Sequence, residues 1–195
     1  MKVSREQADA NHERIIDVAS RMFREKGFDG VGVAELMKAC GLTHGGFYGH
    51  FGSKDDLVAQ AASRAFDRSG EAWDSIVDGS NEPFSALVDR YLADSKLSKP
   101  ETACMFAVLA PEAARRGRPV RKVFSDGFRT LTDIIAKLVQ SRSRNEAQAA
   151  SIAVFSELVG ALVLARSVDD PKLAKHILQV VKSDLKARFP DPKAG

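Results

Sequence analysis

The sequence predicts an all-α protein of nine helices, and three observations carry that prediction. Apolar residues recur at helical spacing in almost every segment between chain breakers. No run of β-branched residues alternates with polar ones over the length of a strand. The breakers, among them Gly41, Gly52, Lys99-Pro100, Gly117-Arg118-Pro119 and Asp169-Asp170-Pro171, divide the 195 residues into helix-length pieces. With 44% apolar residues, the chain can build a core without disulfides or metals, since folding at this length covers about 70% of the surface of the unfolded chain.

The first helix is expected over 4–26, with Ile15, Ala19, Met22 and Phe23 on one stripe and Gly27-Phe28 in the form of a glycine C-cap. Two short helices follow, 33–40 and 44–51, joined by the turn Gly41-Leu42-Thr43. Ser53 then caps a long helix to residue 77, whose first turn carries Asp55 and Asp56 where the helix dipole favours negative charge. Asn81-Glu82-Pro83 supplies cap, acid and first-turn proline for a helix over 82–96. The remaining helices are expected over 101–116, 119–141, 144–167 and 171–189, with a frayed tail over 190–195.

Composition excludes several classes. Cys40 and Cys104 are the only cysteines and form no CxxC pair, which suits a reducing cytosol. The longest unbroken apolar run, 158–165, falls far short of the roughly 20 residues that span a bilayer. The charged N-terminus has no signal-peptide core. A cytoplasmic protein without membrane partner, metal or cofactor is expected. The net charge of +3 says little about nucleic acid, because residues 1–60 hold 8 Lys/Arg against 9 Asp/Glu; the placement of particular residues must carry that argument.

The two short helices and their glycine turn form a helix-turn-helix, which lays its second helix in a DNA major groove. Ala34, Leu36, Met37, Leu42, Phe47 and Phe51 can pack inward, and Thr43 stands where it can cap the second helix. With Phe47 and Phe51 inward, Gly45, Gly46, Gly49 and the flank bearing His44, Tyr48 and His50 face out. Each such glycine costs about 1 kcal/mol relative to alanine in a helix, which close approach to another surface would justify.

The stretch Glu13 to Val58, most specifically Gly41-Leu42-Thr43-His44-Gly45-Gly46-Phe47-Tyr48-Gly49-His50-Phe51-Gly52-Ser53-Lys54-Asp55-Asp56-Leu57, resembles the DNA-binding domain of the TetR/AcrR family of bacterial transcriptional regulators. The resemblance implies a nine-helix TetR-like fold, with a helix-turn-helix domain over 8–68 and an effector-binding and dimerisation domain over 69–195. It implies that Thr43, Tyr48, His50 and Lys54 touch phosphates of a double-stranded operator while His44, Gly45 and Gly46 lie at base edges. At Gly49 the family usually carries a longer side chain, so one contact is missing here. It further implies a ligand cavity, for which Trp73, Tyr91, Met105, Phe106 and Phe128 are candidates, and a small, partly hydrophobic effector that releases a repressor from a palindromic operator. Cys104 offers an alternative, an electrophile- or oxidant-sensing thiol with its pKa lowered by Arg115 or Arg116. The basic run 115–122 reads as a solvated corner, with an anionic effector or a second DNA contact as the other readings.

Apolar stripes on the last two helices, with Phe155, Leu158, Val159, Leu162, Ile177 and Val181 as candidates, suit a four-helix interface across the two-fold axis of a homodimer. A helical protein-interaction module without DNA binding is the rival among binding proteins. An enzyme would draw on His12, His44, His50, His176, Cys104 or the acid pairs 55–56 and 169–170, but no HExxH, GxSxG or GxxxxGK[ST] pattern unites them. No catalytic function is expected.

Overall fold

Residues 4–139, 141 and 143–192 are described by a computed structural model of the chain. Ser4 accepts a hydrogen bond from the Gln7 N–H and opens α1 (Arg5–Lys26), which closes on Gly27 at φ 79°. The short α2 (Val33–Ala39) and a 3-10 turn, η1 (His44–Gly49), follow. The long α3 (Lys54–Asp78) starts on Ser53, whose Oγ accepts from the Asp56 N–H, while an Asp56 carboxylate oxygen accepts from the Gly52 N–H. The larger body comprises α4 (Pro83–Tyr91), α5 (Ser95–Ser98), the 3-10 turn η2 (Pro100–Thr102), α6 (Met105–Ala113), α7 (Arg118–Leu138), α8 (Arg144–Ser167) and α9 (Pro171–Arg188). No strand occurs among the described residues.

α3 is the spine: it packs along α1 on one side and α7 on the other, and α8 lies between α7 and α9. The centre is aromatic. Phe106 lies 5.1 Å from Phe66, 5.2 Å from Phe124 and 5.4 Å from Phe155, in edge or tilted contacts that are worth about 0.5–1.5 kcal/mol each beyond burial.

Several boundaries differ from expectation for local reasons. The stretch expected as one helix over 82–96 turns at Leu92, which is fully buried, and restarts as α5. The helix expected over 101–116 begins only at Met105, after extended backbone at Ala103 and Cys104, and carries Pro111, which removes one N–H from its ladder. The tail expected to fray is pinned at Asp191, whose carboxylate accepts the Phe84 and Ser85 N–H groups at 2.8 and 3.0 Å and thereby caps α4. Residues 1–3, 140, 142 and 193–195, which hold parts of the expected N-terminus, seventh helix and tail, lie outside the described residues.

Three of the six residues expected at a dimer interface turn into the chain's own core. Phe155, Leu158 and Leu162 are at most 1% exposed and belong to the chain's own core, while Val159, Ile177 and Val181 are half-buried. Ile152, Val163 and Leu164 on α8 and Leu173 and Val180 on α9 are the exposed apolar residues. α8 is apolar on both sides: an 18-residue window has mean hydropathy 1.7, enough by length and composition alone to cross a membrane, although Glu157 interrupts the run.

Candidate nucleic-acid interface and ligand pocket

The helix-turn-helix is assembled around two phenylalanines. Phe47 and Phe51 are 0% and 2% exposed, 5.5 Å apart, and Phe51 stacks at 4.6 Å on His12 of α1. His12 is held by Gln60 at 3.0 Å, so this histidine is part of the packing that fixes the head on α1 and α3. Gly41 takes φ 69° in the turn, a conformation that side chains with a Cβ rarely adopt.

The second helix forms as 3-10 and not as the α-helix expected over 44–51. Three low-propensity glycines in six residues weaken it, and Thr43 makes no capping bond to it, contrary to expectation. Its outer face nevertheless points as the phenylalanine spacing requires. Tyr48 is 70% exposed, and Thr43, His44, Gly45 and Gly49 are exposed with it. A Cβ added at Gly45 or Gly49 would meet nothing within 4 Å. Gly46 and Lys54 are half-buried, and His50 is half-buried with its ring 6.0 Å from that of His12.

The near-neutral balance of the head conceals how its charges are used. Arg64 bonds Glu13 and Asp17, Arg68 bonds Asp17 at 2.8 Å, and Lys26 bonds Glu35. Arg116, from the corner after α6, reaches Asp29 at 2.5 Å and Asp55 at 3.0 Å and lies over the Phe28 ring. Asp56 is occupied by the cap of α3. Glu13, Asp17, Asp29, Glu35, Asp55 and Asp56 are thus engaged internally. Lys38 and Lys54 have no carboxylate partner among the described residues. Lys38, exposed at the end of α2, was not singled out from sequence; its position in the last turn beside the glycine turn was the available signal.

A pocket of about 220 Å³ lies between α1, α3, α4 and the segment 96–104. Trp73 and Tyr91 line it, as expected of two of the effector candidates. Met105 is sealed in the core, and Phe106 and Phe128 border a separate, shallow groove with Phe124 and Arg129. Cys104 also lines the pocket. Burial pushes its thiol above the usual value, against the lowering expected from Arg115 or Arg116: Arg116 is committed to Asp29 and Asp55 at the far end of α6, and Arg115 is exposed. Among the described residues, no group of three or more His, Cys, Asp or Glu could hold a metal ion.

Residues 15–61 match the family described as bacterial regulatory proteins, tetR family. Over 182 residues, 90% of this chain and 97% of its own length, the HTH-type transcriptional regulator LmrA of Bacillus subtilis is 20% identical. The HTH-type transcriptional regulator AcrR of Shigella flexneri is 35% identical over 57 residues, 29% of this chain and 26% of AcrR. The crystal structure of Escherichia coli NemR in its reduced form superposes with a TM-score of 0.78 at 16% identity, covering 95% of this chain and 100% of NemR, a likeness of fold. Residues 15–61 thus carry a helix-turn-helix of the tetR family type, set in a helical frame of the same fold as that of solved TetR-family regulators.

Proposed function

We propose that the chain acts as a homodimeric repressor that sets two copies of the His44–Gly49 turn into successive major grooves of a palindromic operator and leaves it when a small, partly apolar effector fills the pocket. The observation that carries the DNA-facing part is the division of one short turn into two sides. Phe47 is fully buried, while Tyr48 stands 70% exposed between glycines whose Cβ positions are open. A large aromatic held in water beside bare backbone suits a phosphate backbone approaching closely. Thr43, Tyr48 and Lys54 are assigned to phosphates, with Lys38 added to them, and His44, Gly45 and Gly46 to base edges. His50, turned partly toward His12, serves the packing of the head as well as its assigned phosphate.

The pocket supports the effector reading because it is bounded by both bodies of the molecule. Ser20 and Arg24 come from α1 of the head, and Tyr91 and Cys104 from the larger body. A ligand there acts on α1 and α3 directly, so it can alter how the two heads of a dimer are spaced. Cys104 stays the second reading, since its thiol faces the same pocket; its raised pKa keeps it protonated and slows attack on electrophiles.

The test is a mobility-shift titration with DNA flanking the gene at two salt concentrations. Sequence-selective binding with a steep salt slope is expected, and Tyr48→Ala should weaken it by about tenfold without altering thermal unfolding. Selective binding unchanged by Tyr48→Ala would remove this turn from the interface, and no selective binding at all would favour a protein-interaction module.

A further inference from the structure

The pocket carries a charge pattern that a purely apolar effector does not explain. Arg24, Arg68, Arg90 and Lys96 line it, against Glu101 as the one carboxylate. Arg68 is answered by Asp17 at 2.8 Å. Arg24, Arg90 and Lys96 have no ion-pair partner among the described residues, and Lys96 donates only to the backbone oxygen of Thr102. The gathered cations outweigh Glu101: the Lys96 ammonium is held below its usual pKa first by burial and then by Arg90 and Arg24, with Glu101 acting the other way, and burial likewise lowers Arg24.

Two buried donors lack an oxygen or nitrogen partner as well. The Arg24 Nε has no hydrogen-bond partner among the described residues, and the Tyr91 hydroxyl has no oxygen or nitrogen partner there, only the Cys104 sulfur beside it. Tyr91 is 5% exposed, and the Cys104 thiol beside it is only a weak acceptor. Leaving such a group unsatisfied costs about 1–3 kcal/mol, so a pocket with two of them beside an excess of positive charge over the single carboxylate of Glu101 suits an acceptor that carries negative charge. Trp73, Ile76 and Ala72 form the apolar part of the same wall.

We propose that this pocket binds a small organic anion, a carboxylate attached to an apolar body, with the carboxylate between Arg24 and the Tyr91 hydroxyl and the apolar body against Trp73 and Ile76. This rests on the effector reading and sharpens it, replacing an apolar ligand by an anionic amphiphile. Burial keeps the Tyr91 phenol protonated, so it remains a donor to an anion at neutral pH. Arg90 and Lys96 add charge from the pocket lining.

The experiment is calorimetric titration of the full chain, free of DNA, with octanoate and 4-phenylbutyrate, with octan-1-ol as the uncharged match and inorganic phosphate as the bare anion. Saturable binding of one of the two carboxylates is expected, tighter than octan-1-ol by about tenfold or more. Arg24→Gln and Tyr91→Phe should each weaken that binding, and Arg90→Gln gives the same reading should Arg24→Gln fail to fold. Octan-1-ol binding as tightly as the carboxylates, carboxylate affinity untouched in the folded variants, or no carboxylate binding would overturn the proposal, and phosphate binding better than either carboxylate would remove the apolar half of it. Operator binding is measured separately, so a pocket that ignores carboxylates leaves the DNA-binding reading standing, and a chain that binds carboxylates without shifting DNA leaves the pocket assignment standing.

Discussion

A Cβ built on Gly127 would stand 2.4 Å from the ring of Phe66, while one built on Gly45 or Gly49 would meet nothing within 4 Å. These glycines are indistinguishable in sequence and serve opposite purposes. At Gly127 a close approach of α7 to α3 requires the missing side chain, and the contacted atoms sit at the base of a buried ring that has no room to swing away. Gly127→Ala should therefore destabilise the fold by about 1–3 kcal/mol, read as a lower melting temperature. Gly45→Ala should leave unfolding unchanged or raise stability by up to about 1 kcal/mol, yet weaken operator binding, because the added methyl stands on the face assigned to the groove. A Gly45→Ala variant that binds DNA as before would take the base-edge role away from that position. The inward pair Phe47 and Phe51 was legible from their spacing of four. That Thr43 leaves its helix uncapped was not, because capping depends on backbone angles that spacing does not report.

At the scale of elements, helical periodicity located the long α-helices but not the separate α5, and apart from the glycine-weakened η1 the errors fall where a helix is interrupted by tertiary demands. α4 stops so that Leu92 can be buried and Lys96 can reach the pocket, and α6 starts late so that Ala103 and Cys104 can form its wall. Nothing in a period of 3.6 foretells either. The corner after α6 gives the plainest case. The basic run 115–122 reads as a solvated surface, but Arg116 is only 18% exposed and joins Asp29, before α2, to Asp55, at the start of α3. Glu112 adds a hydrogen bond from the Phe28 N–H to its carboxylate. Partners 61 and 87 residues away are invisible to a local reading. These contacts fasten the end of α6 to both flanks of the helix-turn-helix, so Arg116→Ala should loosen the head selectively. Amide hydrogen exchange should quicken by about fivefold over Gly41–Phe51, corresponding to a local loss of about 1 kcal/mol, and stay unchanged in α8 and α9. Exchange that quickens equally everywhere would make Arg116 a general stabiliser and not a link between the two bodies.

For the whole molecule, the sequence shows that the last two helices are apolar but not which way they face. α8 carries apolar residues on two sides, and from spacing alone either side could be the one it buries within its own chain. Packing against α7 and α9 takes Phe155, Leu158 and Leu162. What remains outside is Ile152, Val163 and Leu164, with Leu173 and Val180 of α9. Large apolar side chains exposed on two adjacent helices suit an interface repeated by a two-fold axis, where each helix of one protomer meets its equivalent on the other. The proposed repressor calls for such an axis, since one short 3-10 turn per chain offers few contacts, and two of them about 34–36 Å apart would share one palindrome. Leu164 is 59% exposed and makes the most direct test. Leu164→Glu should place a carboxylate in the interface of each protomer, convert a dimer to a monomer in sedimentation analysis, and reduce operator affinity while the helical circular dichroism signal is kept. A variant that stays dimeric and binds DNA as before would move the symmetry axis off α8; one that becomes monomeric without losing affinity would mean that a single head suffices, and the argument from half-site spacing would fall with it.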